Sequence, residues 1–139
     1  MTTLPRTLPA SWYRSSPLYQ LERRAVFLRS WYLLGPVIKF SDDAVVDYEF
    51  AGVFLRVSRD TAGGDVQVHD GAETPLRSHT TSTGLLFSTI SDDAPPFEEF
   101  FPGLEEILST VDFTKRPYRR SIQYEGHFNW KTMVDGYQE

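Results

Sequence analysis

The 139-residue sequence contains no cysteine. That absence excludes disulfides, thiolate metal sites, cysteine-held iron–sulfur clusters and any thiol nucleophile. An excess of basic charge is lacking as well: 14 Lys and Arg stand against 19 Asp and Glu, a formal net charge of −5. The basic residues are scattered, with small clusters only at Arg23–Arg24 and Arg119–Arg120, so the basic stripe of a nucleic-acid binder is missing. No apolar run approaches the roughly 20 residues needed to cross a bilayer, and the first residues, MTTLPRTLPASWYR, carry no apolar core of a secretory signal. These features predict a cytoplasmic protein with neither nucleic-acid nor membrane partners. Phosphate-binding glycine loops and a GxSxG elbow are absent, and Gly63–Gly64 reads as a turn. The three histidines, His69, His79 and His127, match no metal-binding spacing.

What is present is a globular composition of one domain's length, with 40% hydrophobic and 14% aromatic residues. Residues 1–16 read as an extended arm. Pro17, after Ser15 and Ser16 as caps, opens a helix that runs to near Ser30, with Leu18, Leu21, Ala25, Phe27 and Leu28 at helical spacing. Glu22 and Arg23–Arg24 are expected on its solvated face. WYLLGPVIKF is a β-rich run that Gly35–Pro36 marks as an edge strand or a bend. Residues 45–58 predict two strands around Ala51–Gly52, Ala62–Gly63–Gly64 a turn, Asp65–His69 a short strand, and Gly84–Ile90 a further strand. Residues 70–82 have no clear period. A short helix is expected from Phe97 to about Ser109, with Phe100, Leu104, Ile107 and Leu108 as its apolar stripe. Residues 117–128 read as a strand, and Asn129 as the N-cap of a last helix. The pattern is that of a β-rich α+β domain with helices at its ends.

Three stretches resemble one known family. LPASWYRSSPLYQLERRAVFLRSWYLL is similar to the opening of the α subunit of Rieske-type non-haem iron oxygenases, where an arm leads to a helix with an ER-[RK]-x-[IV]-F pattern and then to a tryptophan entering the first strand. LRSHTTSTGLLFSTISDDAPPFEEFF resembles the stretch just after the Rieske cluster. EGHFNWKTMVDGYQE at 125–139 resembles the approach to the catalytic iron, the NWK at 129–131 being the most specific match. The resemblance implies a single unit of 1–139: an arm (1–16), a Rieske-domain-like remnant (17–116) and the start of a catalytic-domain-like segment (117–139). The family's cluster needs a C-x-H and a C-x2-H pair. Both are missing here, as if the cluster lobe had been excised near residues 70–75. The first histidine of the facial triad would fall beyond Glu139, and Glu139 aligns with the family's bridging carboxylate. No metal ligand carries over, and no cofactor is expected.

Two function classes follow. One is a metal-free enzyme repurposed for cofactor-independent chemistry (isomerisation, cyclisation, dehydration or a pericyclic step) on an apolar small molecule, which needs a shaped pocket and a proton-transfer pair. Candidate acid/base groups are His127, Glu125, Tyr124, His79 and Asp135. Glu125 and His127, two apart, would share a face of a strand, and a neighbouring carboxylate would tune that histidine. Trp31, Tyr48, Phe50, Phe54, Phe87 and Trp130, with Trp12 and Tyr124 behind them, are candidate pocket linings, and the same residues also read as plain core. Asp42–Asp43 and Asp92–Asp93 read as solvated turns. The other class is a non-catalytic pseudo-oxygenase that binds a ligand or joins a full-length oxygenase. A homo-oligomer is expected in both cases, because an exposed apolar surface favours association.

Overall fold

The computed structural model describes residues 8–40, 45–59 and 64–137. Asp42–Asp43, Ala62–Gly63, the first seven residues of the arm and Glu139 lie outside the described residues. The architecture is α+β: two three-stranded antiparallel sheets with short helices around them.

Helix α1 spans Ser16–Ala25. The Ser15 hydroxyl accepts the Leu18 N–H at 3.2 Å, and Pro17 stands in the first turn, where its missing N–H costs nothing. The helix is shorter than its apolar periodicity predicts. After Val26 the chain tightens into a 3-10 turn, Phe27–Arg29, and swings directly into strand β1, Trp31–Pro36. Nor is the arm wholly extended, since Ala10–Tyr13 form a 3-10 turn.

β1 is an edge strand and also bends. It pairs with β6 (Leu85–Thr89) with a register shift between Leu33 and Gly35, and Pro36 ends the pairing. The third strand of this sheet, β5 (Ser78–Thr80), was invisible to periodicity and pairs with the other side of β6. The second sheet holds β2 (Val46–Phe50), β3 (Val53–Arg59) and β4 (Val66–Asp70) in that order. Ala51 (φ 51°) and Gly52 (φ 77°) close the β2–β3 hairpin. Positive φ at both central residues is the two-residue turn whose twist suits a hairpin.

The first sheet is the middle layer. One of its faces packs on the second sheet through Leu34, Phe40, Leu55, Val57, Val68, Leu86 and Ile90. The other carries Trp31, Leu85, Phe87, Ala94 and Phe97, against which Phe100, Phe101, Leu104 and Leu108 close. β6 is therefore buried on both faces, so its residues, Leu85–Thr89, do not alternate between apolar and polar, and even Ser88 and Thr89 are buried.

The single helix expected over 97–109 is two helices, α2 (Phe97–Phe100) and α3 (Leu104–Leu108). Pro102 has no N–H to continue the first, and Gly103 adopts φ 76°, a left-handed conformation that glycine enters at no steric cost. Residues 117–128 form no strand: among the described residues no strand pairs with them, and 117–128 are exposed throughout. Asn129 caps α4 (Trp130–Gly136) by accepting the Lys131 N–H at 3.1 Å. Among the described residues no helix is long and apolar enough to cross a membrane.

Candidate functional site

α4 docks on α1 through an ion pair that periodicity did not reveal. Glu22, placed on the solvated face by its neighbours, is turned inward. Its Oε1 lies 2.7 Å from Lys131 Nζ, and the two side chains are only 12% and 8% exposed. The Trp130 indole N–H donates to the other oxygen, Glu22 Oε2, at 2.9 Å. Burial pushes the Glu22 carboxyl up, but the hydrogen bonds from Lys131 and Trp130 outweigh it and hold the group below the usual range. Asp135 accepts a short hydrogen bond from the Tyr13 hydroxyl, and this contact raises the tyrosine above its ordinary value. Asn129 Nδ2 donates to the Tyr13 carbonyl at 3.2 Å. The start of the chain, α1 and α4 thus form one polar clamp.

Beside this clamp lies a groove of ≈ 410 Å³, lined by Tyr19, Phe27, Glu49, Phe50, Phe128 and Trp130 among others. Its rings are held from behind. Trp130 meets Phe27 edge-on at 5.3 Å between centroids. Phe50 stacks on Tyr32 at 4.4 Å and on Tyr48 at 6.0 Å. Burial lifts the Tyr32 hydroxyl to about 12, and that hydroxyl donates to the Phe27 carbonyl at 2.8 Å. The Tyr48 hydroxyl donates to the Leu34 carbonyl and receives Lys39 Nζ, both at 2.7 Å.

The six candidate pocket aromatics occupy three places. Phe50 and Trp130 line this groove, with Tyr48 stacked behind Phe50. Trp31 and Phe87 are core on the helical face of the first sheet, where the Trp31 indole donates to the Pro95 carbonyl at 2.9 Å. Phe54, 60% exposed, stands on the outer face of the second sheet in a wider groove of ≈ 730 Å³ with Asp47, Arg56, His69 and Glu73. There Arg56 grips Asp47 through both nitrogen–oxygen contacts, at 2.9 and 3.2 Å, and so holds that carboxyl low. Of the aromatics kept in reserve, Trp12 and Tyr124 are both exposed.

The acid/base candidates are likewise dispersed. Tyr124, Glu125 and His127 sit on the exposed segment 117–128, and with no strand there Glu125 and His127 share no strand face. Asp135 belongs to the clamp. His79, opposite Phe87 on β5, is the one candidate histidine with a carboxylate partner among the described residues: its Nε2 is 3.0 Å from Glu105 Oε1, and its ring stacks on Phe97 at 3.9 Å. Glu105 also accepts the Ser82 N–H and hydroxyl at 3.1 and 2.8 Å. His79 first, then Ser82, keep its carboxyl low. This cluster pins α3 to the β5–β6 turn.

Sequence reasoning missed Tyr19, Phe27, Glu49 and Phe128 as groove residues and Glu22 as the anchor. One advance signal was that Glu22 falls in a family-like stretch and Trp130–Lys131 in the most specific match, NWK at 129–131.

No known family profile matches this sequence, and no curated protein matches it. Solved structures do. The quaternary ammonium Rieske monooxygenase CntA in complex with substrate gamma-butyrobetaine superposes with a TM-score of 0.77 at 16% identity, over 96% of this chain and 53% of that one. The same enzyme with substrate L-carnitine gives 0.75 at 18%, over 96% and 53%. A further CntA structure, described with inter-subunit electron transfer, gives 0.76 at 17%, over 96% and 51%. The chain thus has a Rieske-monooxygenase-like fold and spans about half the length of the solved structures it matches. The residues at hand do not fit a Rieske cluster. The sequence offers no thiolate. The exit of β4, where the first ligand pair would follow, closes on itself: Asp70 Oδ1 accepts the N–H groups of Ala72 and Thr74, each at 2.8 Å, and the Asp70 N–H donates to the Thr74 carbonyl at 2.9 Å. Among the described residues no three His, Asp or Glu side chains gather as metal ligands.

Proposed function

We propose that this chain is a metal-free, non-catalytic protein on a Rieske-oxygenase-like scaffold, and that it binds a small methyl-rich organic cation in the aromatic groove beside the clamp. The observation that carries this is the lining itself: five rings, Tyr19, Phe27, Phe50, Phe128 and Trp130. A quaternary ammonium offers no N–H to donate. It is held by ring faces, and the groove is lined by rings. The backing contacts of Phe50 and Trp130 fix two of the rings before a ligand arrives, which lowers the ordering cost of binding. The gamma-butyrobetaine and L-carnitine carried by solved proteins of this fold belong to the same chemical class.

The test is a thermal-shift and calorimetric titration of the intact chain with gamma-butyrobetaine against 5,5-dimethylhexanoate, which has the same shape with carbon in place of the charged nitrogen. The cation raises the melting temperature with concentration and the carbon analogue does not. Phe50→Ala weakens binding by about tenfold, in line with the loss of one cation–π contact. Equal binding of both compounds, or of neither, refutes the reading.

The catalytic alternative, cofactor-independent isomerisation, cyclisation, dehydration or a pericyclic step, is favoured by one observation: the His79–Glu105 pair. It calls for turnover of an added small molecule that His79→Gln removes while the melting temperature holds.

A further inference from the structure

We propose, resting on the cation reading of the groove, that Glu22 is its positioning residue: one carboxylate sets the Trp130 ring as a wall and cancels the ammonium of Lys131 behind that ring. Docking of α4 on α1 and binding of a cation are then one coupled event.

The groove is framed by a single helix. Tyr19 stands on α1 and Phe27 in the turn that follows it, and both line the groove. The next two walls are held by adjacent residues of the same helix. Glu22 Oε2 accepts the Trp130 indole N–H at 2.9 Å. Arg23 Nε donates to the Ala51 carbonyl at 2.8 Å, and Ala51, in the β2–β3 turn, lines the groove beside Phe50. Walls that lie far apart in sequence are thereby tied to one rigid element. The indole N–H is the only polar handle on the Trp130 ring, so its acceptor decides which way the ring face turns.

The other oxygen has a second task. Lys131 Nζ lies 5.3 Å from the centroid of the Trp130 ring. A lone ammonium there would repel a cation seated against that ring. Glu22 Oε1, 2.7 Å from Nζ, compensates it in place. Linkage makes the coupling mutual: a bound cation strengthens the docking of α4 by the same factor as docked α4 strengthens the cation.

Calorimetric titration of the intact chain with gamma-butyrobetaine tests this, beside proton–nitrogen NMR spectra of the tryptophan indoles, with Trp130→Phe to assign the signal. Glu22→Gln keeps an oxygen for the indole but leaves Lys131 uncompensated, and weakens binding by at least about tenfold. Adding Lys131→Met to it removes the charge and restores binding. Glu22→Leu with Lys131→Met is equally free of charge but has no acceptor. Its melting temperature matches that of the other double variant, its Trp130 indole signal moves, and its affinity stays about tenfold low, the cost of ordering a loosened ring. A purely structural role for Glu22 predicts equal affinity at equal stability. Equal affinity in the two charge-free variants therefore overturns the proposal, and so does a Glu22→Gln variant that binds like the wild type. The second arm stands by itself should the leucine variant fail to fold. A wild type that binds no cation sinks the reading of the groove and the proposal together, whereas the other two outcomes leave that reading in place.

Discussion

Residues 84–90 and residues 117–128 both carry strand-forming sequence, and of these two only the first is a strand. β6 lies between β1 and β5 and is covered on both faces by apolar clusters. The later segment has the better alternation, but among the described residues no strand pairs with it. Strand propensity measures how well a side chain fits a pleated, half-buried surface. Where that surface is missing, the same propensity yields an exposed irregular tether. It is anchored at one end by the Phe113 N–H donating to the Thr83 carbonyl at 2.9 Å, and at the other by the Glu22–Lys131 pair.

The largest effect that would sharpen this contrast is in β6. Leu86 is fully buried, and Leu86→Ala costs about 3–4 kcal/mol by removing methyl groups from a closed core, measured by denaturant unfolding. A cost below about 1 kcal/mol would mean that the middle layer is not the centre of the fold. Next comes the anchor of the second region. Lys131→Met strands the Glu22 carboxylate and costs about 3 kcal/mol, whereas Glu22→Leu combined with Lys131→Met recovers most of the loss because no charge is left behind.

The same anchor gives a pH dependence. The folded carboxyl of Glu22 sits below its ordinary value of 4.5, so in acid the unfolded chain binds the proton first. Its contribution to stability is complete above that value and disappears as pH falls through the lower, folded value. Unfolding curves collected between about pH 6 and pH 3 should show this drop in the wild type, and Lys131→Met should flatten it. Smaller again, Asn129→Ala removes the cap of α4 for about 1 kcal/mol and speeds hydrogen exchange at the Lys131 amide. The smallest expected effect is Ile122→Ala, within about 0.5 kcal/mol; a larger loss would show that the tether is packed after all.

What could be read from the residues follows the same division. The hairpin at Ala51–Gly52, the short strand ending near His69, the edge character of WYLLGP and the caps at Ser15 and Asn129 were all legible, because each is encoded within a few positions of itself. β5 was not: Ser78–Thr80 is three residues long and is a strand only because β6 accepts it. Glu22 was misread because its partner lies 109 positions away, beyond any local period. The break at Pro102–Gly103 was in plain view as a breaker pair and was overridden by the apolar spacing on either side of it. The dispersal of the six aromatics among a groove, a core and an outer face was beyond the reach of composition, which counts rings without locating them.

The closed turn after β4 has a consequence for engineering. Asp70–Thr74 brings the chain back on itself, with His69 bridged to Pro75, while residues 71–75 lie exposed. The ends of that turn are already side by side, so it is a port into which extra sequence can be spliced without moving either sheet. Lengthening it from five residues to about 45 adds only about 2 kcal/mol of closure entropy, a sum that a spliced lobe with its own packed interior offsets by itself.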